Sequence, residues 1–330
     1  MSTPKSDLAT VNIGVLGVGA LGRHHARLYR DIPQASLVGI FDVNPIQAQA
    51  VGQEFGLAVF DNPGELMDRC DALSIAVPTD LHDAVVTEAL TRGVHVLVEK
   101  PLAATPQQGQ HLLHLSRQHN LILQVGHVEQ FNPVVQFLEG RLTRPRFIEA
   151  HRLAPYPPPR AGAKPRGTEV GVVLDLMIHD IELILALLGE KPQSIEAIGV
   201  PILSKSEDIA NARLTFPSGC VANLTASRVT PEPLRKMRVF ESNCYLSLDF
   251  GKKEGNITTL KDGAIVKEPV PIEDQNALFV ELSHFIDSVL TFKAQGTIPP
   301  SRLEAERGYA ALEIATAICD AIAKGQPTGS

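Results

Sequence analysis

From Val11 to Val125 short apolar runs alternate with longer segments of helical period, and this alternation constrains the fold more than any other feature of the chain. The runs are VNIGVLG, SLVGIFD, ALSIAVP, VHVLVEK and LILQVG, and between them lie segments such as DLHDAVVTEALTRG and TPQQGQHLLHLSRQHN. Apolar strands taking turns with helices predict a parallel sheet covered on both faces. From Arg146 the rhythm changes. After RFIEAHRL and the proline-rich loop APYPPPRAGAKPRG comes one apolar helical stretch, VVLDLMIHDIELILALLG. A series of strand candidates follows: SIEAIGV, DIANARLTF, CVANLTASRV, KMRVFES and CYLSLDF. Their short links favour antiparallel or mixed pairing. NALFVELSHFIDSVLTFKAQG and SRLEAERGYAALEIATAICDAIAKG, both of helical period, close the chain. The expected class is α/β, with one domain over residues 1–126 and an α+β domain over 127–330 whose last helix can pack back toward the first.

Length agrees, since 330 residues exceed one ordinary core and suit two. A formal charge of −7 and 20% charged residues leave no electrostatic footprint for nucleic acid. Cys70, Cys220, Cys244 and Cys319 are far apart with no paired metal-ligand spacing, so reduced thiols are expected, with neither a metal site nor a disulfide framework. The polar MSTPKSDLAT reads as neither signal peptide nor anchor, and no apolar stretch is long enough to span a bilayer, which points to the cytoplasm.

The first strand runs straight into GVGALG. Gly17, Gly19 and Gly22 form GxGxxG at a strand-to-helix turn, the context that gives this pattern meaning. Gly17 permits the bend, Gly19 lets a pyrophosphate approach the backbone, and Gly22 allows close packing of helix on strand. Ala20 and Leu21 complete the turn, where free helix N–H groups favour phosphate. Asp42 closes the next strand at the distance expected of the acid that binds an adenosine ribose and repels a 2′-phosphate. This is a Rossmann domain that favours NAD over NADP. A doubly wound sheet binds ligands at the carboxyl ends of its strands. AVPTDLH leaves Pro78, Thr79 and His82 there, and HVLVEKP leaves Glu99 and Lys100. A lysine in that place would stand beside both a nicotinamide ring and a substrate hydroxyl.

These motifs resemble the Gfo/Idh/MocA oxidoreductases. The resemblance runs over nearly the whole chain: GxGxxG, VPTxxH, the tripeptide Glu99-Lys100-Pro101, and the helix carrying Asp175 and His179. It implies a C-terminal domain with a large, mostly antiparallel, open-faced sheet through which subunits form a homo-oligomer, a dimer or tetramer. It also implies a lysine against the nicotinamide and a cis bond between Lys100 and Pro101.

Asp175 and His179 are four residues apart, so on a helix they share one face. A histidine suits proton abstraction near neutrality, and an aspartate can orient it or hold substrate. The family places such a pair opposite the lysine, which makes Lys100, His179 and Asp175 the expected catalytic residues. Asp180 and Glu182 lie close by, and some of these acids should be solvated bystanders.

The segments GHVEQFNPVV, HRLAPYPPPR and VVLDLMIHDIEL are similar to the group of UDP-N-acetylglucosamine 3-dehydrogenases. That likeness makes His127, Glu129, Asn132, Arg152, Arg160 and Arg166, with Lys164 nearby, candidates to bind substrate beside Asp175 and His179. His127 is equally readable as a core histidine, and each basic residue taken singly as solvated surface charge. The reaction implied is NAD-dependent oxidation of the C3 hydroxyl of a UDP-sugar, with the proton taken by His179 or shared with Lys100. Because oxidation of a secondary alcohol by NAD is uphill, it is expected to be coupled to an aminotransferase, as in the synthesis of amide-linked lipid A. Two other readings compete: a dehydrogenase of another sugar or polyol, such as an inositol or an aldose, and a non-catalytic NAD-binding redox sensor.

Overall fold

The computed structural model describes residues 9–138, 142, 144–158, 170–272, 274–302 and 304–325. The chain divides into two units, 1–128 with 276–309, and 129–275 with 310–330.

In the first unit five strands pair in parallel: β1 (Val11–Leu16), β2 (Ala35–Phe41), β3 (Ala72–Ile75), β4 (His95–Glu99) and β5 (Leu123–Gly126), in the order β2-β1-β3-β4-β5. Helices α1 (Gly22–Tyr29), α2 (Pro45–Phe55), α3 (Pro63–Met67), α4 (His82–Thr91) and α5 (Pro106–Gln118) lie between them in sequence. The sequence pattern missed one partner of β2. Val59 bridges Ile40 in parallel, so a further strand position exists beyond β2 but is one bridge long. The starts are locally encoded: Asn44, Asn62 and Thr105 cap α2, α3 and α5 with their side chains, each followed by proline at the first turn. The strand order reverses between β1 and β3, which puts the ligand crevice at their carboxyl ends.

The second unit holds α6 (Pro133–Leu138), β6 (Phe147–Leu153), a π-helical turn at Val173–Met177 continued by α7 (Ile178–Leu188), and strands β7 (Ser194–Val200), β8 (Ile209–Thr215), β9 (Val221–Ser227), β10 (Leu234–Phe240), β11 (Cys244–Asp249), β12 (Glu254–Lys261) and β13 (Ala264–Pro269). Among the described residues the sheet has eight strands in the order β13-β12-β11-β10-β6-β9-β8-β7. Only the β6–β9 pair is parallel; the other neighbours are antiparallel. Side chains alternate, so Ile148, Ala150, Ala212, Leu214, Leu224, Met237, Val239 and Leu246 enter one core with Ile178, Ile181 and Ile184 of α7. The opposite face carries cross-strand pairs: Arg238 with Glu149, Arg213 with Asn223, and the stacked rings of Phe240 and Tyr245.

One boundary departs from the sequence expectation. Helix α8 (Ala277–Gln295) and the start of α9 (Ala305–Gly325) belong to the first unit, not to one continuous C-terminal domain over 127–330. Tertiary pairing explains this. Helix α8 packs on α1 and β1, Lys293 meets Asp71 at 2.9 Å, and Gln124 at the sheet edge donates to Ser288 and Ser301 at 3.2 and 2.8 Å.

The four cysteines are free thiols. Burial pushes Cys70 and Cys319 up to about 12 and Cys220 up to about 11, which keeps them protonated and inert at neutral pH. Among the described residues, no helix is long and apolar enough to cross a membrane.

Candidate active site

The glycine turn is built on close backbone approaches. Gly17 has φ +80°, and a Cβ there would lie 2.7 Å from the Ala76 carbonyl oxygen. A Cβ on Gly22 would lie 1.7 Å from the Gly17 carbonyl oxygen, so only glycine lets α1 begin this close to the turn. Gly19 is the opposite case: it is exposed, and a Cβ on it would meet nothing within 4 Å. That open ground lies at the start of α1, where no side chain caps the helix and no acid occupies the first turn. Exposed Ala20 and half-buried Leu21 line it with backbone N–H groups. This cradle fits a pyrophosphate.

Asp42 serves the same turn from the end of β2. One oxygen accepts the Val18 N–H at 2.7 Å and the other the Asn44 N–H at 2.9 Å, while Gln47 donates to the Val18 carbonyl at 3.0 Å. Each carboxylate oxygen keeps a further lone pair for a ribose hydroxyl. At the end of β3, Pro78 is exposed and Thr79 half-buried.

His82, expected among the cofactor contacts, has a different place. It is 1% exposed, and its ring nitrogens lie 2.8 Å from the Pro101 carbonyl and 3.1 Å from the Val77 carbonyl. The ring straps two strand-end loops together and has no nitrogen left for a ligand. Burial pushes its pKa down, so it is neutral and serves one carbonyl at a time.

Glu99 and Lys100 end β4, and the Lys100-Pro101 bond is cis. Lys100 is half-buried, whereas the Glu99 carboxylate is turned to the interior, 3.0 Å from Nε2 of His25. Behind Lys100 lies His127, 2% exposed. Burial, aided by Lys100 and Arg307, pushes its pKa down to about 3. His127 is thus a neutral buried residue of the first unit and has no open surface with which to hold a sugar.

In the second unit Asp175 and His179 lie on the half-exposed side of their segment, while Ile178, Asp180 and Ile181 are buried. The sequence pattern predicts plain α-helix here, but Asp175 lies in the π-helical turn and His179 in the first turn of α7. Such turns widen the helix locally and re-aim a side chain.

Three expected substrate contacts are instead a closed network. Arg152, 4% exposed, binds Asp180 through two nitrogens at 2.9 and 3.1 Å and Glu129 through a third at 2.8 Å. Asn132 donates to Glu129 at 3.0 Å and caps the Val134 N–H. Burial opposes the charge of Glu129, but Arg152 and the more distant Arg235 hold its carboxyl below the usual range. Arg152, Glu129 and Asn132 therefore hold α6, β6 and α7 together, and their polar groups are engaged with one another. Asp180 and Glu182 are correspondingly buried ligands of Arg152 and Gln130, not solvated bystanders. Arg160, Lys164 and Arg166 lie outside the described residues.

The family model described as "Oxidoreductase family, NAD-binding Rossmann fold" matches residues 11–127, and "GFO/IDH/MocA C-terminal domain" matches 136–246. The chain belongs to the Gfo/Idh/MocA oxidoreductases. It is an NAD-dependent oxidoreductase of that family. A UDP-N-acetylglucosamine 3-dehydrogenase of Acidithiobacillus ferrooxidans is 37% identical over 84% of this chain and 88% of its own. The solved structure of that organism's enzyme superposes with TM-score 0.87, covering 96% of this chain and 98% of that one. A scyllo-inositol 2-dehydrogenase (NAD(+)) of Bacillus subtilis is 28% identical over 67% of this chain and 68% of its own.

The sequence reading passed over His25 and Ser74. Gly22, His25, Ala26 and Tyr29 fall at i, i+3, i+4 and i+7, the buried face of α1, and a histidine on such a face was the sign to follow.

Proposed function

We propose that this oxidoreductase uses NAD to oxidise the C3 hydroxyl of UDP-N-acetylglucosamine, yielding the 3-keto sugar nucleotide, NADH and a proton. The observation that carries the substrate is the 37% identity over 84% of the chain to a protein named for that reaction. NAD, when bound, accepts the hydride from C3. The chain's own groups do the rest. The turn at Gly17, Gly19 and Gly22 holds the pyrophosphate, Asp42 holds the adenosine ribose, and Pro78 and Thr79 border the cofactor at the next strand end. Lys100 stands at the nicotinamide and orients the carbinol. His179, supported by Asp175, takes the hydroxyl proton directly or shares it with Lys100. The half-exposed aromatic and ion-paired outer face of the eight-stranded sheet supports homo-oligomerisation through that face. Because NAD oxidation of a secondary alcohol is unfavourable near neutrality, the ketone is consumed by a following cytoplasmic step, and amination by an aminotransferase, on a route to lipid A-type amino sugars, suits a 3-keto sugar.

The second reading, a dehydrogenase of an inositol or another free polyol, is favoured by the 28% identity to the scyllo-inositol enzyme. One experiment separates them. The protein is incubated with NAD and a panel of UDP-hexoses, UDP-N-acetylhexosamines, inositols and free aldoses in the presence of a ketone trap, and the oxidised carbon is identified by NMR. Trapped 3-keto UDP-N-acetylglucosamine with no comparable turnover of free sugars is expected; equal turnover of a free polyol rejects the assignment.

A further inference from the structure

Behind the strand end that presents Lys100 runs a buried line of polar side chains. Ser74 of β3 is wholly buried, and its Oγ lies 2.7 Å from Nδ1 of His25 on α1. Nε2 of the same ring lies 3.0 Å from Oε1 of Glu99, the last residue of β4 and the neighbour of Lys100. The partners assign the protons. A carboxylate carries no hydrogen to donate, so Nε2 with its hydrogen faces Glu99 as a close polar contact short of hydrogen-bond geometry, while Nδ1 accepts the Ser74 hydroxyl hydrogen. The order hydroxyl, imidazole, carboxylate is that of a nucleophilic triad, yet Ser74 has no surface on which to meet a substrate. The line leads instead to Glu99 and to the lysine beside it.

We infer that His25, backed by Ser74, is a positioning residue that keeps Glu99 ionised and aimed beside Lys100. The inference rests on the reading of Lys100 as part of the hydride-transfer site. Its physical basis is competition at one carboxylate. Burial favours the neutral acid at Glu99, while the polar edge of the His25 ring and the cation of Lys100 favour the anion and prevail. The other groups that bear on this carboxylate are Tyr29, one turn beyond His25 and fully buried, and His127, which burial keeps neutral. Buried Glu281 of α8 also acts on Tyr29. An ammonium beside a fixed anion samples fewer orientations, which pre-organises it for the carbinol.

The test uses the full chain and the variants His25→Leu, His25→Gln, Ser74→Ala, Glu99→Gln and Lys100→Met. Carbon-13 NMR follows the carboxyl carbon of Glu99 from pH 4 to 9 without cofactor, Glu99→Gln serving to assign the resonance. In parallel, kcat and KM for NAD are measured across the same range. In His25→Leu, Glu99 is expected to take up its proton about one pH unit higher, with the acid limb of kcat moving by the same amount and about tenfold lower kcat on that limb. KM for NAD stays within about twofold, because the cradle is untouched. His25→Gln, whose amide N–H can face Glu99 in place of Nε2, restores both titrations. Ser74→Ala, which removes only the backing hydroxyl, shifts them in the same direction by less, and it carries the test if His25→Leu does not fold. A Glu99 titration unmoved in both His25→Leu and Ser74→Ala, or moved equally by Leu and Gln, overturns the inference. Lys100→Met with unimpaired kcat overturns the underlying reading of Lys100 and leaves the Glu99 titration standing as a separate result.

Discussion

The amide of Val18 donates to one oxygen of Asp42 at 2.7 Å, so the acid at the end of β2 also braces the glycine turn. On the proposed reading of Asp42 as the ribose acid, cofactor choice and turn geometry are coupled through one side chain. Asp42→Asn keeps an acceptor for Val18 but removes the charge that repels a 2′-phosphate, and Asp42→Ala removes both. The expected outcome is a fall in preference for NAD over NADP of about tenfold or more in the asparagine variant, with a further loss of affinity for both cofactors in the alanine variant. Kd values for the two cofactors by fluorescence titration check this; an asparagine variant with the parent's preference would contradict it.

The second and third glycines of the turn should fail in different ways. Gly22→Ala puts a methyl 1.7 Å from the Gly17 carbonyl oxygen and is expected to lower Tm as well as NAD affinity. Gly19→Ala meets no protein atom within 4 Å, so Tm without cofactor stays at the parent value while NAD binding weakens, because on the proposed reading the methyl would occupy the ground meant for the pyrophosphate. Calorimetry with and without NAD separates the two; a Gly19 variant that binds NAD normally would move the phosphate site elsewhere.

If Lys100 and His179 act on the carbinol, Lys100→Met and His179→Asn each lower kcat by about 10²–10⁴-fold. Retained NAD affinity in both variants distinguishes lost chemistry from lost binding. Their combined effect should fall short of the product of the single effects, since groups that share one proton transfer are not additive. Steady-state rates on the sugar nucleotide identified by the panel experiment provide the measurement.

The Arg152 network is predicted to matter for stability and not for diphosphate binding. Asp180→Ala leaves a guanidinium that is 4% exposed with a single carboxylate, a change expected to cost about 3–5 kcal/mol. Replacing Arg152, Glu129 and Asp180 together by apolar residues of similar volume should recover most of that loss. Urea midpoints compare the variants; a triple variant as unstable as Asp180→Ala would reject this account.

Buried histidines shape the acid side of the stability profile, His95 and His127 the most strongly. Burial, reinforced by Lys293 and partly offset by Asp71, pushes His95 down to about 4, and His127 is pushed down to about 3. In the unfolded chain both return to about 6.5. The unfolded state therefore binds protons that the native state refuses, so stability is full above about pH 6.5 and is lost as pH falls toward 4. For His95 the loss amounts to about 3 kcal/mol over that window. Urea midpoints at pH 7.5, 6.0 and 5.0 should decline, and His95→Gln should flatten the decline; a constant midpoint in the parent would refute it.

What was legible in the sequence was whatever depends on neighbours along the chain. The strand-to-helix glycine turn, Asp42 at a strand end, Lys100 at another and the Asp175–His179 spacing are local patterns, because backbone sterics and helix or strand period act over a few residues. Arg152 was misread for the complementary reason. As a lone basic residue in a strand it resembles a phosphate ligand, and only folding brings Glu129 and Asp180, 23 and 28 residues away, against its guanidinium. The same holds for His25, which meets Ser74 and Glu99 across three elements, for His82, whose nitrogens find carbonyls of two loops, and for α8, whose own period does not tell which unit it covers. The amino-acid order determined the elements, the glycine turn and the family. Tertiary structure decided which charges are buried against one another and which are left to face a ligand, because desolvation and ion pairing depend on contacts that no local pattern encodes.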